Sequence, residues 1–392
     1  MKKILAMLLA LVMVMGLVAC GTDAPETTAP VETTPAESTP AETTPAVSDV
    51  EYKIAMITDY GDITDQSFNQ TTYEAVKAFA ETNGVDYTYY KPQGDSTAER
   101  VAMVDAAVVD GYNVIVMPGF AFGETLAEVA DIYPEVKFIA LDVAEGEGGF
   151  TATENVFSAV YQEELSGYMA GVAAVKLGYK HLGYLGGMAV PAVQRFGYGF
   201  LQGVDAAAKE LGIVGDIKVE YVYGNQFYGD ADITAVMDTW YGEKGVECVF
   251  ACGGGIWTSA AEAAAKVGGK VIGVDVDQAA IIDAAYGEGM TVTSAMKGLA
   301  PTVNTLLSAI ILEDNWAAYA GKIETLGLVS ADPEANYVQI PMASTQFAEG
   351  FTAEDYTALV AAMFEGTVVV SGDISAFPTT EVAVEQHANI KG

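Results

Sequence analysis

An α/β protein of two lobes, each built on a parallel sheet, is the fold class this sequence predicts. Three observations predict it. Short β-branched runs alternate with segments of helical periodicity. The runs are apolar almost throughout, as strands covered by helices on both faces must be. The alternation then restarts after Lys176, giving two halves of similar size.

In the first half the strand candidates are Lys53–Ile57, Asn113–Met117 and Val136–Leu141. Between them, Tyr73, Val76, Phe79 and Ala80 fall at spacings of three and four within 70–83, and Val101, Val104 and Val108 do the same within 98–110. Such spacing puts apolar side chains on one helix face. In the second half, strands are expected at His181–Gly186, Lys218–Tyr223, Cys248–Cys252, Lys270–Val274 and Thr291–Ser294, and helices at 192–211, 230–241, 258–267 and 279–288. Loops at strand C-termini are rich in Gly and Asp: Asp59-Tyr60-Gly61, Pro118-Gly119, Asp142, Gly186-Gly187, Gly253-Gly254-Gly255 and Asp275. Ligands of open α/β sheets sit off those ends, so two lobes facing each other there would form a cleft.

The chain has 392 residues, 51% of them apolar, with 18 Lys and Arg against 53 Asp and Glu for a net charge of −35. This balance excludes a nucleic-acid surface, which needs clustered cations to neutralise phosphate. It also disfavours docking of the folded part on an anionic membrane.

Lys2 and Lys3 precede an apolar run from Ile4 to Ala19, the pattern of a secretory signal over residues 1–19. The run ends Leu17-Val18-Ala19-Cys20, which resembles the bacterial lipobox and implies lipidation at Cys20. Residues 21–50 carry prolines at 25, 30, 35, 40 and 45 among Thr, Glu, Ala and Ser, with no aromatic residue and no Lys or Arg. A segment of that composition cannot bury a core and serves as a tether. At ~3 Å per residue it could reach up to ~90 Å. The folded protein is therefore expected on the extracytoplasmic face of a bacterial membrane, lipid-anchored.

Catalytic signatures are missing from the sequence. Gly268-Gly269-Lys270-Val271 lacks the spacing and hydroxyl of a phosphate loop, and Gly197–Gly203 misses the dinucleotide pattern by one residue and reads as helix interior. His181 and His387 have no evident nucleophile partner. Cys248 and Cys252, four apart on one strand, would stand ~13 Å apart, beyond the ~7 Å reach of a disulfide, and read as buried thiols. No cofactor and no metal is expected.

Gly61-Asp62-Ile63-Thr64-Asp65-Gln66-Ser67-Phe68-Asn69-Gln70 resembles the opening motif of the basic membrane protein (BMP) family, substrate-binding lipoproteins of ABC importers that include purine nucleoside receptors. Pro118-Gly119-Phe120, Tyr133–Phe138 leading to Asp142, Ala170–Ala174, Gly183–Gly187, Gly273–Gln278 and Thr293–Lys297 continue the resemblance in order, over about residues 52–300. It implies a type I periplasmic binding protein fold, two doubly wound lobes joined by a three-stranded hinge. Residues 52–157 and 297–324 would form the first lobe, 158–296 and 325–392 the second. The implied partners are a small-molecule ligand and the permease subunits of the importer.

A purine nucleoside needs a flat apolar surface and hydrogen-bond partners for base and ribose. Phe68, in the loop after the first strand, is implied to stack on the base; a staple residue at a helix start is its bland alternative. Asn69 offers donor and acceptor, or caps the helix. Asp59 and Asp142 end strands and would line the pocket and meet the base edge, or cap the following turns. Asp275 suits vicinal hydroxyls, and the resemblance implies Lys297 at the ribose, with Asp275 offsetting its desolvation; a purely structural ion pair is the alternative. Gly254 lets backbone approach a ligand closely, and Trp257 is either a second stacking ring or lobe packing, with Phe120, Phe196 and Phe227 competing for that role. The expected function is capture of a purine nucleoside by cleft closure. A sugar or a flavin-type metabolite is the alternative of the same fold, and an extracytoplasmic hydrolase using Asp59 or Asp142 the alternative of another class.

Overall fold

Each β-branched run becomes a strand in the computed structural model, which describes residues 50–392. The signal segment 1–19, Cys20 and the tether up to residue 49 lie outside the described residues. In chain order the first half comprises β1 (Lys53–Ile57), α1 (Phe68–Asn83), β2 (Asp86–Tyr90), α2 (Thr97–Val109), β3 (Val114–Pro118), α3 (Phe122–Val129), β4 (Lys137–Leu141) and β5 (Val156–Tyr161). The second comprises α4 (Glu163–Lys176), β6 (His181–Gly186), α5 (Pro191–Leu211), β7 (Lys218–Tyr223), α6 (Ala231–Asp238), β8 (Cys248–Cys252), α7 (Trp257–Ala265), β9 (Lys270–Asp275), α8 (Ala279–Tyr286) and β10 (Thr291–Lys297). α9 (Leu299–Ile311), β11 (Lys322–Leu326), β12 (Val338–Gln339), α10 (Ala353–Phe364) and β13 (Ala383–Gln386) complete it.

The strands form two sheets, ordered β11-β5-β4-β3-β1-β2 and β12-β10-β9-β8-β6-β7-β13. All neighbours are parallel except β12, which runs antiparallel to β10. Helices cover both faces, as the apolar strands require. On the first sheet, Val76 and Phe79 of α1 pack with Val303 and Leu306 of α9 on one side, and Val104 of α2 with Leu126 and Val129 of α3 on the other. The second sheet carries α4, α5 and α10 on one face and α6, α7 and α8 on the other.

Both sheets reverse their winding direction at a matching place, between β1 and β3 in one and between β6 and β8 in the other. That reversal opens a crevice at the C-terminal strand ends. The chain crosses between sheets three times: from Tyr161 into α4, from Lys297 into α9, and from Leu326 toward β12. Strand pairing carries β5 through Tyr161 and β11 through Leu326 in the first sheet, and leaves Lys297 in the second.

α4 and α5 lie against each other backbone to backbone. A Cβ on Gly167 would come 2.2 Å from the Phe196 carbonyl oxygen, and one on Gly199 2.1 Å from that of Glu164. Glycine alone permits this approach, which is why Gly199 and Gly203, each against an α4 carbonyl, sit inside a helix, while Gly197 makes room for the Tyr221 and Tyr184 rings. The helix expected over 230–241 instead stops at Asp238, and a wider turn over 239–244 carries Trp240 and Tyr241 into the core. Cys248 and Cys252 are buried free thiols. Among the described residues, no helix is long and apolar enough to cross a membrane.

Candidate functional site

Between the two sets of strand ends lies a cavity of about 630 Å³, lined by Asp59, Phe68, Asn69, Asp142, Gly254, Trp257, Asp275 and Lys297 together. All eight residues singled out in the sequence meet there, from both lobes.

Asp59 follows β1. Its Oδ1 accepts hydrogen bonds from the backbone N–H of Tyr60 and Gly61, both at 2.7 Å, so the turn-capping alternative holds for that oxygen. Burial pushes its carboxyl above the ordinary range, opposed by those two N–H groups. Phe68 is the first residue of α1 rather than part of a loop, and stays half-buried at the cavity wall. Asn69 does not cap the helix. Asp65 does so instead, accepting from the backbone N–H of Ser67, Asn69 and Gln70 at 2.9–3.0 Å. This leaves the Asn69 Oδ1 buried and without a donor.

Asp142 directly follows β4 and Asp275 is the last residue of β9, equivalent places in the two sheets. Both adopt left-handed backbone, with φ of 64° and 67°. For a non-glycine residue this costs ~1–3 kcal/mol, a strain that clusters where side chains must be aimed. Lys297 stands between them: its Nζ lies 2.5 Å from Asp142 Oδ2 and 3.8 Å from Asp275 Oδ1. The Lys297 and Asp142 side chains are only 3% and 9% exposed. The ammonium also sits 4.6 Å from the Phe68 ring centroid, within cation–π range. Burial alone would lower the lysine's pKa, but Asp142, Glu163 and Asp275 outweigh it and hold the ammonium above its ordinary value. Burial pushes the Asp142 carboxyl up to about 6, with Lys297 opposing. Asp275 is pushed up by burial too, against the pull of Lys297 and of Ser67.

Four hydrogen bonds made by side chains span the cleft. Ser67 Oγ donates to Asp275 Oδ2 at 2.5 Å, and Gln278 Nε2 to the Gln66 carbonyl at 3.0 Å. Tyr60 Oη donates to Met188 Sδ at 2.9 Å, and Lys297 binds Asp142.

Residues 52–331 match the family described as Bmp, ABC transporter substrate-binding protein PnrA-like. The chain belongs to the Bmp family. The ABC transporter nucleoside-binding protein BmpA of Lactococcus lactis is 30% identical over 241 residues, 58% of this chain and 65% of that protein, so the match spans just under two thirds of that relative. Basic membrane protein B of Borreliella afzelii is 27% identical over 284 residues, 70% of this chain and 78% of that one. An ABC transporter solute-binding protein of Aeropyrum pernix shares the fold, with a TM-score of 0.63 and 24% identity over 81% of this chain and 87% of that one.

Other residues on or next to the cavity carry no clear signal in the sequence. Ser67, which reaches Asp275 across the cleft, looks by residue type like a helix cap. Buried Glu163 pairs with half-buried Arg195 at 2.6 Å. The only signal for Glu163 was an acidic pair heading a helix otherwise made of residues fit for a core. Tyr60 packs on Phe227, ring centroids 6.1 Å apart and tilted by 32°. Phe227 is half-buried and lines the cavity, as do Phe120 and Phe196. Trp257 is only 4% exposed and packs edge-on against Tyr286. Its ring therefore belongs largely to the lobe core, while its Nε1–H is buried without an acceptor at the cavity wall. Gly254, at φ 50°, lies under Phe227, whose carbonyl oxygen would sit 2.7 Å from a Cβ there. Both histidines lie on Glu220, early in β7 and at the opposite end of the strands from the cleft.

Proposed function

We propose that this chain is the membrane-anchored receptor of an ABC importer and captures a neutral purine nucleoside in its cleft. The carrying observation is the cavity itself: aromatic rings from both lobes (Phe68, Phe227) share it with carboxylates from both lobes (Asp142, Asp275). A planar base fits between rings, and ribose hydroxyls are donors that buried carboxylates accept. Asp59, Asp62, Asp65, Asp142 and Asp275 outnumber Lys91 and Lys297 on the lining. A phosphate would enter that negative field unfavourably, so a nucleoside is favoured over a nucleotide. The abundance of aromatic rings favours a base-bearing ligand over a simple sugar.

Only a closed cleft presents both contact sets at once, so the ligand shifts the protein toward closure and the permease reads that form. Asp142 is neutralised by Lys297 rather than left as a free acid or base, which supports binding over hydrolysis. The lipobox at Cys20 and the tether behind it supply the anchor and reach.

The test is calorimetric titration of the protein with inosine, guanosine and adenosine, beside riboflavin, galactose and guanosine monophosphate. Binding of at least one nucleoside, with a weaker or absent response to the others, is expected. Heat from the sugar or the flavin alone would replace the nucleoside reading with one of the alternatives, and conversion of a bound nucleoside to product would replace receptor with enzyme.

A further inference from the structure

Glu163 does not line the cavity, yet its charge is directed at it. It is the first residue of α4, immediately after the chain leaves β5, and its side chain is fully buried. Oε2 accepts from Arg195 Nε at 2.6 Å. Oε1 is buried with no hydrogen-bond donor and stands 3.5 Å from Lys297 Nζ. Lys297 in turn binds Asp142. The result is a row of alternating charge, Arg195, Glu163, Lys297, Asp142, buried except at the half-buried Arg195, that runs from α5 in the second lobe to the end of β4 in the first. Two of its members, Glu163 and Lys297, sit where the chain crosses between lobes.

We propose that Glu163 is a positioning residue that holds the Lys297 ammonium at the junction of the lobes, between Asp142 and Asp275. An ammonium on a four-carbon stem has three donors and no fixed direction of its own. Asp142 and Asp275 approach it from the cleft side, one from each lobe. Glu163 supplies a third carboxylate, and Arg195 fixes that carboxylate through a rigid guanidinium. The arrangement is locked further by the glycine contacts that seat α4 on α5. Glu163 also discharges Arg195, so that Lys297 is left to serve the two aspartates. The positioning itself does not depend on the ligand; its consequence for affinity rests on the nucleoside reading above.

The charge of Glu163 also bears on Asp142. The groups facing that carboxyl are Lys297 on β10, Glu163 on α4, Arg195 on α5 and the Tyr161 hydroxyl on β5, with Asp275 on the far side of the ammonium. Burial raises the Asp142 pKa, and Glu163 raises it further, while Lys297 and Arg195 lower it. Removing the Glu163 charge therefore makes Asp142 ionise at lower pH.

Glu163→Gln keeps the size and polar end of the side chain and deletes its charge. Two measurements on the full chain decide the proposal. In the first, unfolding free energies are measured without ligand for Glu163→Gln, Lys297→Met and the double variant. The double variant is expected to lose clearly less than the two single losses combined, as for residues that act on each other; strict additivity overturns the proposal. In the second, guanosine affinity is followed from pH 5 to 8. Glu163→Gln is expected to bind about tenfold more weakly at pH 7.5, with the acid limb of the profile moved to lower pH. A general loosening of the fold would weaken binding at all pH values and leave the limb in place, and that outcome also overturns the proposal. If the unaltered protein binds no nucleoside, the nucleoside reading falls while the unfolding measurement still decides the role of Glu163.

Discussion

Lys297→Met should expose how the cleft is held together. The substitution keeps an unbranched apolar stem and removes the cation that stands 2.5 Å from Asp142, 3.5 Å from Glu163 and 3.8 Å from Asp275. The Asp142 side chain then has no partner at either oxygen, since Oδ1 already lacks a donor. Breaking one side of a buried ion pair costs about 3–5 kcal/mol. Unfolding entropy near 2.1 cal/mol/K per residue gives about 0.7 kcal/mol/K for a folded body of about 340 residues, so the expected fall in Tm at pH 7.5 is about 4–7 °C. The loss should shrink at pH 5. Asp142 takes up a proton near 6 with lysine beside it, and more readily without it, and a neutral acid needs no cation. Scanning calorimetry at both pH values is the assay. A variant as stable as the parent at pH 7.5, or one destabilised equally at pH 5, would refute the reasoning.

Burial holds the carboxyls of Asp59, Asp65, Asp142, Glu164 and Asp275 above their ordinary values. Groups raised on folding bind protons more tightly in the native state, so stability should rise as pH falls from 7.5 to 5; for Glu164, raised from 4.5 to about 7, the gain over that window is about 2 kcal/mol. Glu220 and Asp230 are held down to about 2 and lose their contribution only below that window; a Tm that falls on acidification from 7.5 to 5 would contradict this. Gly199→Ala puts a Cβ 2.1 Å from the Glu164 carbonyl oxygen and should destabilise by ~1–3 kcal/mol in urea unfolding, whereas an unchanged midpoint would mean the helices are free to separate. Phe68→Ala should weaken nucleoside binding by ~1–3 kcal/mol, the worth of one aromatic stack, while leaving the urea midpoint less affected; unchanged affinity in calorimetry would remove Phe68 from the base site.

The lobes were legible because their central strands are apolar on both faces, and runs such as Asn113–Met117 admit little else. Edge strands were not. β2 and β13 are short, half-exposed and mixed in composition, and β12 pairs over two residues only. The cleft aspartates could be read because they end apolar strands, where a carboxylate has no packing reason to be. Asp65 could not be told from its neighbours as the residue that caps α1, because Ser67 and Asn69 are equally good caps by type. Glu163 and Arg195 are 32 residues apart, and their meeting depends on how α4 and α5 pack, which local pattern does not specify. Trp257 shows the same limit, since its ring is claimed by Tyr286 and only its N–H remains for the cavity.

A crystal structure of the protein grown with guanosine tests the central claim most directly. The account predicts a base seated against Phe68, with the ribose in hydrogen-bond reach of Asp275 and Lys297 and both lobes touching the ligand. Guanosine found outside the cleft, or held by one lobe with Asp142, Asp275 and Lys297 all untouched, would contradict it.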